Sequence, residues 1–319
     1  MKKSPARRSI SVAEERLVVI SLDFELRWGI HDIYGLDFDA YRRNLEGLRD
    51  AVPALLRLLV DHDIRATWAV VGAIGCRSWH DYFDRAPEPP HYERPGLAVD
   101  PRYADLDPDG HLHFAPELVH AIAAAPGQLL GTHTFSHLYL REKGITAADF
   151  AADLAATIEL HRECYNTVPR SLVFPRNQCA FIDVVRASTI RVWRGNQKRW
   201  YYEREDSEHY NIVPRVLKLV DELNPFSRRA APLEADMTRA SLFLRLSLPE
   251  TLWHAHLQRI RRELRTLRPG HIFHMWFHPE NLGDHTGIRL SRVEQVLELL
   301  ATTRDRNEIR SCAMEDLIA

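Results

Sequence analysis

The chain has 319 residues, with 42 basic against 44 acidic side chains, 45% hydrophobic residues and a net charge of -2. That composition excludes a wholly disordered chain, and the near-neutral balance argues against a partner that is a nucleic-acid polymer. No apolar run approaches the ~18 residues that a membrane span requires. Four scattered cysteines without a C-x-x-C pair fit a reduced, cytoplasmic setting, whereas the 17 histidines stand out.

Lys2, Lys3, Arg7 and Arg8 precede no apolar stretch with a cleavage site, so residues 1–12 read as a loose tail and 13–319 as one catalytic domain. Leu17–Leu22 is a short apolar run expected to be a buried strand. Leu45, Leu48, Val52, Leu55, Leu56 and Leu59 then recur at helical spacing, and residues 64–71 return to strand character. Residues 76–113 are rich in Pro, Asp and aromatics. A loop of that length fits either a lid or substrate wall, or a surface insertion. Residues 116–125 suit a helix with proline in its first turn, and a strand follows at 128–132. Thr146 and Asp149 form a capping-box start for a helix running to about residue 165. Strands are expected at 171–174, 189–193 and 271–277, and near 309–313. Helices are expected at 251–267 and 290–300, with an irregular stretch at 200–239. Strand followed by helix, repeated about seven times, implies a parallel sheet, doubly wound or closed into a barrel. In such folds the working groups sit at the carboxyl ends of the strands.

The strand ends carry chemistry. Asp23-Phe24-Glu25 follows the first strand, and alternation puts both carboxylates on one side. Two such carboxylates repel unless a proton or cation lies between them. His133-Thr134-Phe135-Ser136-His137 follows the 128–132 strand, with two histidines spaced for one helical turn and a shared metal. About one pair with this spacing is expected by chance from so many histidines, so placement at a strand end counts for more than spacing. Phe174-Pro175-Arg176-Asn177-Gln178 offers a guanidinium to a carboxylate. In His274-Met275-Trp276-Phe277-His278-Pro279, the first histidine is expected to be packed and His278, at the strand end, to work.

Together these four segments resemble the polysaccharide deacetylases of the NodB-homology type (carbohydrate esterase family 4), nearest to the cytoplasmic branch of surface-polysaccharide biosynthesis. The resemblance runs from about Leu17 to Leu300 with the motifs in order. It implies an α/β fold, a distorted (β/α)7 barrel, here with an irregular insertion near residues 76–113. It also implies a divalent metal, zinc above all, held by Glu25, His133 and His137. Asp23 would be the general base, oriented by Arg176, and His278 the general acid. Asn177, Gln178, Trp276 and Trp200 would contact substrate. The family's commonest motif has adjacent aspartates; here Phe24 intervenes and the second acid is Glu25, so the roles of Asp23 and Glu25 stand open to exchange.

The implied activity is hydrolysis of the N-acetyl amide of an amino sugar, giving acetate and free amine. The substrate would be an intracellular precursor, either a nucleotide-linked small molecule or a lipid-linked glycan. Arg259, Arg261, Arg262, Arg265 and Arg268 would suit a carrier pyrophosphate. Deformylation or cyclic-amide opening on the same site is the nearest alternative, and an inactive sugar-binding relative is another.

Overall fold

A computed structural model describes residues 12–39, 41–94, 96–203, 212–224, 226–306 and 308–318. The expected tail falls almost wholly outside them. Nine strands form one sheet: β1 (Leu17–Phe24), β2 (Ala66–Val70), β3 (Gln128–Thr132), β4 (Ser171–Val173), β5 (Val192–Gly195), β6 (Met237–Arg239), β7 (Leu242–Phe243), β8 (Ile272–Phe277) and β9 (Arg310–Cys312). Their order is β6-β5-β4-β3-β2-β1-β8-β7, with every strand pairing parallel. β9 pairs with Leu17–Val19 on the edge of β1 that β2 occupies from Ser21 onward. β6 and β7 stand at opposite ends of this order, yet only Ala240 and Ser241 separate them. A link that short forces the sheet to curl until its ends nearly meet, which produces the expected distorted barrel.

The curl sorts each strand's side chains by alternation. On β1, Val18, Ile20, Leu22 and Phe24 pack outward among the helices, including Leu48–Asp61 and Thr286–Asp305. Leu17 and Val19 face inward and close the bottom of the barrel with Ile272, Met314 and Leu317. The inward positions above them are polar. Ser21 and Asp23 continue β1, while Arg194 of β5 and His274 of β8 reach them across the interior.

Two irregular stretches carry more structure than their composition suggests. Residues 76–113 contain short helices at Trp79–Arg85 and Tyr103–Leu106. Trp79, Tyr82, Tyr103 and His113 are buried, and Trp28 packs against Tyr82 and His113 at ring separations of 4.9 and 5.2 Å. The His113 carbonyl accepts from Trp28 Nε1 at 2.8 Å. The segment is therefore a packed wall beside the turn that follows β1. The stretch 200–239 was expected to be irregular, but it holds a helix at Ile212–Leu223 and strand β6. Three-residue β6 is too short to show a period of its own; its place comes from pairing with β5.

Candidate active site

Asp23 is the last inward-facing residue of β1 and is 2% exposed. Burial of a carboxylate is costly unless it is paired and hydrogen-bonded. Arg194 supplies the partner: Nη1 donates to Oδ1 at 2.7 Å and Nη2 to Oδ2 at 2.6 Å. The same guanidinium donates to Ser21 Oγ at 2.9 Å and to Asn177 Oδ1 at 2.9 Å. Its plane lies 4.2 Å from the Trp276 ring centroid. His274 Nε2 lies 2.8 Å from Ser21 Oγ. Burial and the nearby Arg194 charge hold the His274 imidazole neutral.

Glu25 lies just past the strand, in the turn that leads into Leu26–Gly29. The backbone there is clamped by Glu280, whose Oε1 accepts from the amides of Glu25 at 2.8 Å and Leu26 at 2.6 Å. Gly29 leaves room for the Glu25 carboxylate, since a Cβ at that position would lie 1.8 Å from Glu25 Oε2. Burial and the Glu25 charge raise the Glu280 carboxyl to about 7. No sequence motif pointed to Glu280, which follows the expected catalytic histidine by two residues.

The two histidines of the 133–137 segment do not lie on a helical turn, as their spacing suggested. They occupy a tight loop after β3 in which Thr134 and His137 have φ of 63° and 55°. Left-handed backbone at non-glycine residues costs about 1–2 kcal/mol each, so the loop needs external support. Asp153, in the helix Ala147–Tyr165, provides it by accepting from the amides of Phe135 at 2.6 Å and Ser136 at 2.9 Å. Thr132 Oγ1 accepts from Thr134 N, and Thr134 Oγ1 from Leu138 N, both at 3.0 Å. Burial raises Asp153 to about 7 against those amide bonds. Its only sequence signal is an acid on the apolar side of an otherwise regular helix.

This loop brings both imidazoles to Glu25. Glu25 Oε1 is 2.9 Å from His133 Nε2, 3.4 Å from His137 Nε2 and 3.5 Å from His278 Nε2. Glu25, His133 and His137 offer ligand atoms within 4.8 Å of one another, as do Asp23, Glu25 and His278. Burial works against ionised Glu25, but His278, His133 and His137 outweigh it and hold the carboxyl well below its ordinary range. Burial likewise opposes charge on His278, yet Glu25 and then Asp23 raise it to about 9. Burial alone dominates at His137 and lowers it to about 4.

The donor set fits a divalent metal. His133 Nδ1 lies 2.7 Å from the Val173 carbonyl, which can only accept, so Nδ1 carries the ring proton. The Nε2 lone pair then faces a carboxylate oxygen at 2.9 Å, an arrangement that calls for a cation between them. Both His137 ring nitrogens are buried and have no hydrogen-bond partner among the described residues. One carboxylate and two imidazoles form a donor set that suits a divalent metal. Glu25, rather than Asp23, touches both histidines.

Several expected contacts fall elsewhere. Arg176 does not orient Asp23; it pairs with Asp32 while Arg194 holds Asp23. Arg176 sits in a tight turn after β4 with φ of 53°, whereas Arg194 points inward from β5 at a depth that the alternation sets. Asn177 joins the site through Arg194. Gln178 is buried, with Oε1 accepting from Arg141 N at 3.0 Å and Nε2 donating to Glu142 at 3.2 Å, so its amide braces a loop. Trp276 lies beside His278, with ring centroids 5.6 Å apart. Trp200 is 52% exposed, and the aromatic of its run that lines a cavity near the site is Tyr202. The arginines of the helix Glu250–Thr266 line neither cavity on this side; Arg259 is buried against Glu263, and Arg262 lies over Phe226.

Residues 32–184 match the family model described as polysaccharide deacetylase, a span that includes His133 and His137 but neither carboxylate of the 23–25 segment nor His278. Among solved structures, a Mycobacterium smegmatis protein assigned as a polysaccharide deacetylase aligns at TM-score 0.54 and 15% identity, over 98% of this chain and 93% of that one. The chitin deacetylase of Colletotrichum lindemuthianum aligns at TM-score 0.46 and 14% identity, over 94% and 86%. A family pseudoenzyme of Bacillus anthracis aligns at 0.45 and 11%, over 96% and 66%. No curated protein matches the sequence at a significant level. Residues 32–184 are thus similar to the polysaccharide deacetylase family, and the fold over nearly the whole chain is that of the Mycobacterium smegmatis structure.

Proposed function

We propose that the protein is a metal-dependent N-deacetylase, hydrolysing the acetamide of an amino sugar in a glycan precursor to acetate and free amine. One observation carries this reading: Glu25, His133 and His137 converge at ligand distance, with Arg194-held Asp23 and His278 beside them. The chemistry supplied by a divalent cation at those three residues, when bound, is polarisation of a carbonyl and acidification of water.

The remaining roles belong to the chain itself. Asp23, oriented by two bonds from Arg194 across both of its oxygens, accepts the proton of the attacking water. The water oxygen adds to the acetamide carbon, and the carbon–nitrogen bond then breaks. His278 donates a proton to the departing nitrogen, without which an amine leaves poorly. The face of Trp276 beside His278 offers an apolar surface for the sugar ring. The two proton transfers balance, since Asp23 gains one proton while His278 loses one, and solvent resets both groups.

Metal analysis and acetate release test the reading together. Wild-type protein should bind about one zinc per chain. His133→Ala should lose both metal and turnover. His278→Ala and Asp23→Asn should keep the metal while kcat falls by about 10²–10⁴. Wild-type protein that neither retains nor takes up zinc overturns the reading.

A further inference from the structure

Two adjoining cavities lie beside the active site, and basic side chains outnumber carboxylates in both. The first, of about 470 Å³, begins at Asn177 and Trp276, both of which touch Arg194. Arg215, Lys218 and Arg245 line it against one carboxylate, Glu222. Tyr202 and Phe243 add aromatic faces. The second, of about 400 Å³, shares Gln197 and Ala240 with the first. Lys198, Arg199, Arg228, Arg229 and Arg239 line it, again against one carboxylate, Glu234.

Some of this charge is already neutralised. Lys198 and Arg239 pair with Glu234, Arg229 with Asp221, and Arg245 with Glu222. Arg199 and Arg228 are exposed at the cavity and make no ion pair among the described residues. Between the cavities, Gln197 is 5% exposed, donates through Nε2 to the Ser241 carbonyl at 3.0 Å, and keeps a buried Oε1 without a partner. Eight basic side chains against two carboxylates thus line a path that starts beside the partners of Arg194.

We infer that these cavities bind a phosphate or diphosphate ester that attaches the amino sugar to its carrier. The sugar's acetamide then lies at Asp23 and His278, and the phosphoryl oxygens meet the cations of the two cavities. Several separate guanidinium and ammonium groups along a path suit a multiply charged anion better than a single carboxylate. A nucleoside diphosphate and a lipid diphosphate present the same phosphoryl chemistry here. The inference rests on the deacetylase reading only for where the acetamide sits.

Binding of inorganic pyrophosphate, measured by calorimetry, tests the site independently of turnover. Wild-type protein should bind it, and Arg199→Ala/Arg228→Ala and Lys218→Ala should each weaken binding by about tenfold, the size of one lost charge-assisted bond. Acetate release is then compared for a nucleoside-diphosphate N-acetylhexosamine, its lipid-diphosphate counterpart and an uncharged N-acetylhexosamine oligomer. The inference expects a higher kcat/KM on one diphosphate-linked substrate, and the preferred arm identifies the carrier. It also expects that preference over the oligomer to fall by about tenfold in the variants. Equal kcat/KM on all three, unchanged in the variants, or no pyrophosphate binding overturns it while leaving the deacetylase standing. Pyrophosphate binding that the variants weaken, with no acetate from any substrate, supports the site and overturns the deacetylase reading instead.

Discussion

Arg194 decides how Asp23 works. A forked guanidinium across both oxygens aligns the buried carboxylate and prevents it from swinging towards the histidines. Replacing Arg194 with Met leaves that charge buried without its partner, a change that costs several kcal/mol when uncompensated. Arg194→Met should therefore lower kcat by about 10²–10⁴, the range of a lost general base. Arg176→Met should cost far less, because Arg176 spends itself on Asp32. Acetate-release kinetics on the two variants, each checked for a cooperative melt, decide between the arginines. Equal losses would return the orienting role to Arg176.

At the scale of elements, the loop after β3 and the helix Ala147–Tyr165 form one device. The helix begins with a capping box at Thr146 and Asp149 and presents Asp153 to the amides of the strained loop. Asp153→Ala orphans two buried N–H groups at about 1–3 kcal/mol each. The variant should be less stable by roughly 2–6 kcal/mol and should bind zinc more weakly, as denaturant melts and zinc titration would record. Unchanged zinc affinity would show that the loop holds its shape unaided.

The same helix carries His161, buried with both ring nitrogens unpartnered and lowered by burial to about 4. An imidazole depressed in the folded state binds fewer protons there than in the unfolded chain. Its neutral form is tolerated above the unfolded value of 6.5, and stability is lost as pH falls from 6.5 towards 4. His161→Leu should remove that loss, which amounts to roughly 3 kcal/mol across the window. The difference between wild-type and variant stability should therefore be flat above about pH 6.5 and move in the variant's favour as pH falls below it. Parallel pH–stability curves between pH 4 and 6.5 would refute it.

Across the whole molecule, the barrel brings together groups from far-apart segments of chain, and a metal would tie β1 to the loop after β3. Zinc binding to the folded state alone should raise stability by about 2.7 kcal/mol at free metal roughly a hundredfold above Kd. A chelator should lower the melting temperature of wild-type protein and leave that of His133→Ala unmoved. A wild-type melt insensitive to both zinc and chelator would remove the metal from this account.

Much of this was legible in the sequence because it is local. Residues 128–132 are a strand as read, the capping box at Thr146 starts its helix, and Glu25, His133, His137 and His278 sit at strand ends as parallel-sheet logic requires. Asp23 and Glu25 remained interchangeable in sequence, since both are acids two residues apart. Only the loop after β3, folded back through Asp153, decided which one meets the histidines. Arg194 and Glu280 were hidden for a related reason. Each acts on a residue more than 170 positions away, and nothing in a neighbouring residue records that contact. The cationic cavities likewise join residues of the 197–199, 215–218 and 228–245 stretches that no period links. The sequence by itself determined the alternation of strand and helix and the residue types at the strand ends, because backbone periodicity and capping act over a few residues. The partners of the catalytic carboxylate, the shape of the histidine loop and the path of positive charge were decided by the tertiary structure, because the curl of one sheet sets which distant side chains share its interior and rim.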